Sequence, residues 1–249
     1  YLSILLYQKK KNLFSVSFIF ISSLLKIYPI TGLLIFFKNK IINYFNLIIL
    51  LSFLIFLIYI YDDLITISNN LHSKVTLTYS SKTIFYMIGF IFEISEKNFL
   101  IISIILFLLI LIFSLKFKIN LNETSKEEDL FIIGASILIF SFFLSSSFEY
   151  RLIYTILLIP FISMYRKKNL DLFKYIYFII IFIIWFEFII FYTYQYINFD
   201  ELKNEFGYIL NNQSIFLGIL IGIKNFCYWI LNFFLIIIMK EIFMKRLNF

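Results

Sequence analysis

The sequence contains few of the residues that build metal sites and disulfides. Its 249 residues include one cysteine, Cys227, and one histidine, His72. One thiol excludes an intramolecular disulfide, and one Cys with one His cannot supply the ligands of a zinc site. A metal held by carboxylates alone stays open. We expect no metal and no cofactor in the chemistry of this protein.

Glycine, proline and charged residues are also scarce. There are 6 Gly and 2 Pro, and charged residues make up 15% of the chain, whereas hydrophobic residues make up 62% and the mean hydropathy is +0.94. This composition excludes collagen-like repeats and disorder, and it leaves too few charges to cover a soluble exterior. The sequence has no Gly-rich phosphate loop, which argues against an ATP-driven machine. It predicts an all-α, polytopic integral membrane protein.

Long apolar runs predict the membrane spans, because a helix needs about 20 apolar residues to cross a hydrocarbon core of about 30 Å. The opening run, 13–37, is interrupted by Lys26 and Pro29, and it predicts a hairpin of two short helices. The shorter run 152–165 carries Pro160 and is predicted to be a span supported by its neighbours. The clear spans are 41–61, 99–115, 130–146, 175–196 and 215–239. The total is about seven to eight transmembrane or half-membrane helices.

The positive charge follows membrane topology. The formal net charge is +7, and the basic residues lie in short clusters between apolar runs, which does not favour nucleic-acid binding. With the hairpin, 15 Lys and Arg residues fall on the predicted cytoplasmic side and 5 on the outer side, whereas a single span through 13–37 gives 12 and 8. The hairpin is favoured. We expect a multi-pass protein of the bacterial inner membrane whose partners include the bilayer and no nucleic acid.

This topology makes residues 1–249 one transmembrane domain with three outer segments. The largest is the extracytoplasmic loop 62–98, called the outer loop below, which contains His72. The second is residues 147–151, called the corner below, and the third is the loop 197–214. Substrate recognition is expected on this side.

Lys26 is unusual because it lies thirteen residues into an apolar run. A buried ammonium group costs about 3 kcal/mol on insertion scales, so something must compensate for it. Pro29 breaks the helix just after it and frees backbone groups at that depth. A cation at a helix break predicts an anion site. The alternative is that Lys26 extends to the outer interface and anchors the hairpin turn.

The corner combines Glu149, Tyr150 and Arg151 between two apolar runs. Arginine offers a rigid fork of donors suited to phosphate or carboxylate. The alternative is a local Glu149–Arg151 ion pair that closes a helical hairpin, and such exposed pairs contribute less than about 1 kcal/mol.

Other ionisable residues have simpler explanations. Asp62 and Asp63 are best read as the solvated end of a span, and His72 as a loop residue without a role, although it is kept among the substrate-binding candidates. Glu187 lies inside an apolar run and needs a partner or a proton. Lys224, in the last run, is its opposite-charge candidate, and we predict a structural pair between the two helices.

Two stretches resemble a known family. Residues 18–40, FIFISSLLKIYPITGLLIFFKNK, contain Lys26, Tyr28 and Pro29 in a Lys-x-x-Pro pattern after a short apolar helix. Residues 148–160, FEYRLIYTILLIP, form an acidic-Tyr-Arg corner that leads into an apolar helix and a proline. Both resemble segments of membrane glycosyltransferases of the GT-C superfamily, above all the family 87 mannosyltransferase-like proteins.

The resemblance implies a hexosyltransferase of the outer membrane face. It would move a hexose, with mannose as the example, from a polyprenyl-phosphate-sugar donor to a glycan or lipid acceptor. Lys26, Tyr28, Glu149, Tyr150, Arg151 and His72 are the substrate-binding residues expected on this basis.

The family's catalytic Asp lies in an outer loop before the Lys-x-x-Pro segment, but only twelve residues precede Leu13 here, and the chain begins with Tyr1. We therefore expect a C-terminal fragment that binds substrate without catalysing transfer, with the catalytic Asp upstream.

Two other functions stay open. A polysaccharide flippase or ion-coupled carrier would use Glu187 and Lys224 as coupling or substrate groups. An O-antigen polymerase or ligase is the other enzyme class. The long outer loop favours a surface enzyme over a carrier.

Overall fold

The computed structural model describes residues 2–10, 12–25, 28–36, 44–62, 78–81, 83, 96–119, 121, 125–144, 147–168, 171–196 and 212–247. The α-helices are α1 Leu2–Gln8, α2 Asn12–Leu25, α3 Tyr44–Tyr59, α4 Glu96–Ser114, α5 Glu127–Leu144, α6 Ile159–Lys167, α7 Asp171–Tyr196 and α8 Asn212–Leu247. Two 3₁₀ helices cover Tyr28–Phe36 and Glu149–Leu157, and two short strands are β1 Thr78–Tyr79 and β2 Ser147–Phe148. The described part of the chain is almost entirely helical, which confirms the all-α fold class.

The five clear apolar runs all form α-helices. Their boundaries differ from the prediction by a few residues, except that α8 continues well past residue 239 to Leu247. This extension carries Lys240, Lys245 and Arg246, which sequence reasoning had placed in a cytoplasmic segment beyond the helix. Basic residues in a last helical turn interact favourably with the helix dipole, so the helix continues through them.

The predicted span 152–165 is divided between two helical segments. The second 3₁₀ helix ends at Leu157, and α6 begins at Ile159 with Pro160 in its first turn. Proline has no N–H to donate and its fixed φ suits the first turn of a helix, so it begins a new helix instead of continuing the previous one.

The opening run forms two helical segments. Helix α2 ends at Leu25, and the first 3₁₀ helix begins at Tyr28 and packs against α2. A Cβ added at Gly32 would lie 3.6 Å from the Ile19 side chain, which is ordinary contact. Residues 26–27 lie outside the described residues, and the membrane face on which the segments meet stays a prediction.

Helix α5 lies in the centre of the described core. Residues 131–138 are all buried, so the helix is covered on every face by apolar neighbours. Both 3₁₀ helices, α6 and α8 pack against it, and α8 also packs along α7. Helix α5 therefore sets the positions of the elements that carry the predicted site.

Two stretches of the described residues are long and apolar enough to cross a membrane. They are Asp171–Ile190 in α7 and Ile219–Arg246 in α8. Three shorter apolar helical stretches cover Asn12–Leu24, Ile48–Tyr59 and Ile101–Ser114.

Candidate functional site

The six residues predicted to bind substrate fall in two groups. Lys26 and His72 lie outside the described residues. Tyr28 opens the first 3₁₀ helix, and the second 3₁₀ helix opens with Glu149, Tyr150 and Arg151. The structure describes the backbone of these four residues and not their side chains, so it locates the segments without testing the contacts predicted for them.

Helix α5 supports both segments. The first 3₁₀ helix packs along it, and the second packs against Gly134 so closely that a Cβ there would lie 2.9 Å from Leu157 Cβ and 3.0 Å from Tyr154 O. Only glycine allows this approach without displacing backbone. The two stretches that resemble the glycosyltransferase family therefore share one supporting helix.

A short antiparallel ladder joins the outer loop to the corner. Thr78 pairs with Phe148, and Tyr79 pairs with Ser147. Two-residue strands have no sequence pattern of their own, so sequence reasoning did not find this pairing. The ladder places part of the outer loop directly beside Glu149, the first residue of the second 3₁₀ helix.

Tyr79 anchors the ladder in the helical core. Its ring is fully buried and meets the Tyr228 ring edge-on at 4.8 Å between centroids. Its hydroxyl accepts a hydrogen bond from Asn232 Nδ2 at 2.8 Å. Burial raises the pKa of the Tyr79 phenol far above its ordinary value, and the Asn232 hydrogen bond lowers it only partly, so Tyr79 is neutral.

The next residues of the outer loop are also fixed. The Ser81 N–H donates to Phe142 O at 2.8 Å, and the Ser81 and Ser103 hydroxyls share a short hydrogen bond. These contacts attach the loop to α5 and α4, so the described part of the outer loop is held by the corner, α8, α5 and α4.

Lys224 and Glu187 form the pair predicted from the sequence. Lys224 Nζ lies 3.6 Å from Glu187 Oε1, the lysine side chain is 0% exposed and the glutamate side chain is 19% exposed. The Tyr228 hydroxyl donates a short hydrogen bond to Glu187 Oε1, and its ring lies 5.9 Å from Lys224 Nζ. The prediction of a pair between these two helices is confirmed.

The pair belongs to a polar stripe on α8. Lys224, Asn225, Tyr228 and Asn232 lie within one helical face and are all buried. Each Asn amide donates to the backbone carbonyl four residues earlier, but Asn225 Oδ1 and Asn232 Oδ1 have no hydrogen-bond partner among the described residues. Buried acceptors of this kind are suited to a hydroxyl or water donor. We call these residues with Glu187 the polar centre.

The opposite end of α8 carries a second buried cluster. Arg246 Nη2 lies 2.8 Å from Asp129 Oδ1 and 3.6 Å from Glu128 Oε2, and Lys245 pairs closely with Glu128. Arg246 Nη1 also donates to Ile35 O at 3.4 Å. We call this cluster the ionic clasp, because it joins α5, α8 and the first 3₁₀ helix.

Sequence reasoning did not identify the ionic clasp. The sequence signals of the clasp are acidic residues in the first turn of α5 and basic residues in the last turn of α8. Each group interacts favourably with the dipole of its own helix. Tyr7 of α1 lies nearby, and its pKa is raised by burial and by Asp129 and lowered by Arg246. The clasp has a structural character, since each of its four charges has an opposite charge beside it.

No group of three or more His, Cys, Asp or Glu side chains within the described ranges could hold a metal ion. Asp62 closes the helical stretch after α3, whereas Asp63 and His72 lie outside the described residues. The predicted absence of a metal site therefore stays a prediction.

A comparison of the chain with protein-family models, with curated proteins and with solved structures finds no match.

Proposed function

We propose that this protein is a multi-pass glycosyltransferase of the bacterial inner membrane, with about seven to eight transmembrane or half-membrane helices. It transfers a hexose from a polyprenyl-phosphate-sugar donor to a glycan or lipid acceptor on the outer face. The observation that carries the proposal is the β1–β2 ladder, because it joins the outer loop, where an acceptor would bind, to the corner that resembles the family.

The second support is that one helix, α5, packs against both segments that resemble the family. Lys26 precedes the first segment by two residues in the sequence, and Arg151 lies in the second. A lipid-linked sugar phosphate gains negative charge on its leaving phosphate during transfer. Cations directed at that phosphate stabilise the transition state more than the ground state.

The membrane placement is supported by the exposed surface. Apolar side chains of α3, α4 and α7 are widely exposed, including Ile58 at 76% and Trp185 at 68%. Exposed apolar patches of this extent require a nonpolar surrounding, which a bilayer provides. The two long apolar helices supply the spans that such a placement needs.

In the family that the two segments resemble, the catalytic base is an Asp that precedes the Lys-x-x-Pro segment. We propose that the residues named here supply binding groups for the donor and the acceptor.

Donor binding tests the proposal. The 249-residue chain, reconstituted in vesicles, should bind a labelled polyprenyl-phosphate hexose. Arg151→Lys keeps the charge but loses the planar fork, so we expect an affinity loss of about tenfold or more. Arg166→Lys is the matched control, because Arg166 stacks on the Tyr177 ring at 4.1 Å in another part of the chain.

Lys26→Met should weaken donor binding without preventing membrane insertion, since it removes a charge from an apolar segment. Normal donor affinity in both the Arg151 and Lys26 variants, or no donor binding by the parent chain, would overturn the proposal.

A carrier is the second candidate function, and the polar centre favours it. A buried ion pair in an apolar span marks substrate or ion pathways in many transporters. If the protein is a carrier, the Glu187→Gln variant should lose substrate uptake into vesicles. Its affinity for the polyprenyl-phosphate donor should not exceed that of the parent chain. Donor binding that depends on Arg151, without uptake, supports the transferase.

A further inference from the structure

An apolar groove opens at the end of the molecule that carries the ionic clasp. It has a volume of about 420 Å³ and lies between α4, α5 and α8. Its walls include Phe107 and Leu111 of α4, Ile139 of α5, Ile236 of α8 and Leu115, which directly follows α4. Helix α4 packs only lightly in this region, and Ile112 and Leu115 on its groove side are 61% and 66% exposed. The groove therefore faces the surroundings of the protein.

Lys240 lies at the same end of the groove as Leu115 and fixes the turn after α4. Its ammonium donates to Ser114 O at 2.9 Å and to Phe117 O, and it lies 2.8 Å from Glu241 Oε1. The two acceptors are the carbonyl of the last residue of α4 and a carbonyl three residues beyond it, so the lysine bridges the helix end and the turn that follows. Lys240 is therefore a structural cap for this turn and is already engaged.

The turn that Lys240 fixes presents two further lysines. Lys116 and Lys118 are both exposed, and Lys116 Nζ lies over the Phe113 ring at 5.4 Å from its centroid. The mouth of the groove thus combines a local excess of positive charge with an apolar channel. By the count of Lys and Arg residues, this end faces the cytoplasm, where the leaflet is rich in anionic lipid.

The length of the groove fits one leaflet. From Leu115 at its mouth to Phe107 at its far end, α4 rises about 12 Å. Half of a hydrocarbon core of about 30 Å is about 15 Å. An acyl chain that entered the groove beside Lys116 and Lys118 would therefore remain within the leaflet whose head groups lie at the level of these lysines.

We propose that this groove binds one anionic phospholipid, with an acyl chain along the groove and the head-group phosphate at Lys116 and Lys118. The occupant is a membrane phospholipid, because the lysines and the apolar channel meet at one mouth and only a lipid satisfies both. The proposal rests on the membrane placement within the proposed function and is independent of the transferase activity.

Lipid retention tests the site. The full chain is reconstituted in vesicles of equal parts phosphatidylglycerol and phosphatidylcholine with identical acyl chains, extracted in mild detergent and weighed by native mass spectrometry. We expect one retained phosphatidylglycerol in preference to phosphatidylcholine by about tenfold, as two lysines near an anionic lipid imply. The double variant K116Q/K118Q should remove the preference. The control K9Q/K167Q removes two exposed lysines elsewhere and should keep it.

A groove variant separates the acyl chain from the head group. Leu115→Trp fills the mouth and should reduce retention of both lipids, whereas Ile153→Trp, at a residue that is 62% exposed on the second 3₁₀ helix, should not. Both are exposed positions, and circular dichroism confirms that each variant folds.

Equal retention of the two lipids by the parent chain would overturn the proposal, and so would loss of the preference in the K9Q/K167Q control. Cross-linking between Leu115→Cys residues of two copies in a Cys227→Ser background, showing a dimer that covers the groove, would also overturn it. None of these outcomes depends on whether the chain binds a sugar donor.

Discussion

The two buried polar clusters on α8 differ in the groups that they leave unmatched. In the ionic clasp, Glu128 and Asp129 face Lys245 and Arg246, and Arg246 Nε has no hydrogen-bond partner among the described residues. In the polar centre, Lys224 Nζ lies 3.6 Å from the partly exposed Glu187 carboxylate, and two buried amide oxygens on the same stripe have no partner among the described residues. Helix α8 therefore contributes to a cluster of four opposed charges near its C-terminus and, nearer its N-terminus, to a cluster that leaves two acceptors unmatched.

This difference between the ionic clasp and the polar centre indicates which cluster is structural and which is a candidate site. Buried charges that balance one another hold elements together, and their removal destabilises the protein. Buried acceptors without donors cost free energy, so their persistence indicates water or a ligand in the functional state. We therefore interpret the clasp as structural and keep the polar centre as a candidate ligand site, which the variants below test.

The largest expected effect is on the clasp. Arg246→Met leaves Asp129 and Glu128 buried with only Lys245 to balance them, so the free energy of unfolding should fall by about 3–5 kcal/mol. Denaturant titration in detergent micelles measures this. Arg166→Met removes an arginine that stacks on Tyr177 and should cost less than about 2 kcal/mol. Equal losses in the two variants would contradict the structural role of the clasp.

The polar centre should respond less, because its carboxylate is partly exposed and retains the Tyr228 hydrogen bond. Lys224→Met should lower the free energy of unfolding by about 1–3 kcal/mol. The double variant Lys224→Met with Glu187→Leu should restore most of that stability, since apolar replacement of a buried pair is often neutral.

The same double variant sharpens the comparison through binding. If the polar centre belongs to the site, the double variant should recover stability without recovering donor affinity. If the double variant recovered both stability and donor affinity, the Lys224–Glu187 pair would be purely structural, like the clasp.

Gly134→Ala moves the corner without touching either cluster. The added Cβ would lie 2.9 Å from Leu157 Cβ, and the resulting overpacking should cost about 1–2 kcal/mol and weaken donor binding. Gly222→Ala is the matched control, because a Cβ there meets nothing within 4 Å, and alanine in a helix interior should stabilise by up to about 1 kcal/mol. Thermal unfolding measures the change in stability of both variants. Equal changes in the two variants would contradict the close packing of the corner against Gly134.

The smallest effect separates the two asparagines. Asn232→Leu loses the hydrogen bond to Tyr79 and should cost about 1 kcal/mol. Asn225→Leu removes an amide oxygen without a partner among the described residues, so its stability should change by less than about 0.5 kcal/mol. If Asn225→Leu also weakens ligand binding, its oxygen contacts the ligand, whereas unchanged binding would limit the site to Asn232 and Lys224.

Some of this organisation follows from the sequence. Apolar runs predicted five helices because run length and composition determine helices in a chain with so few breakers. The Lys224–Glu187 pair was predictable because each is isolated within an apolar run, where an unpaired charge is costly.

Other features depend on contacts that no local pattern encodes. The ladder joins residues about seventy positions apart through strands of two residues. The clasp joins α5 to α8 across 117 positions, and its charges also suit the helix dipoles, which is a sufficient local explanation for them. Pro160 was read as a weak point within one span because its position in the first turn of α6 depends on where the preceding 3₁₀ helix ends.

The central claim is that the clasp and the polar centre with its ladder lie toward opposite faces of a membrane. Single cysteines at positions 10, 70 and 168, in a Cys227→Ser background, are labelled in oriented vesicles with a membrane-impermeant maleimide. The account predicts that Asn70→Cys reacts from the outer side and that Lys10→Cys and Lys168→Cys react only after the membrane is opened. Labelling of positions 10 and 70 from the same side would contradict it.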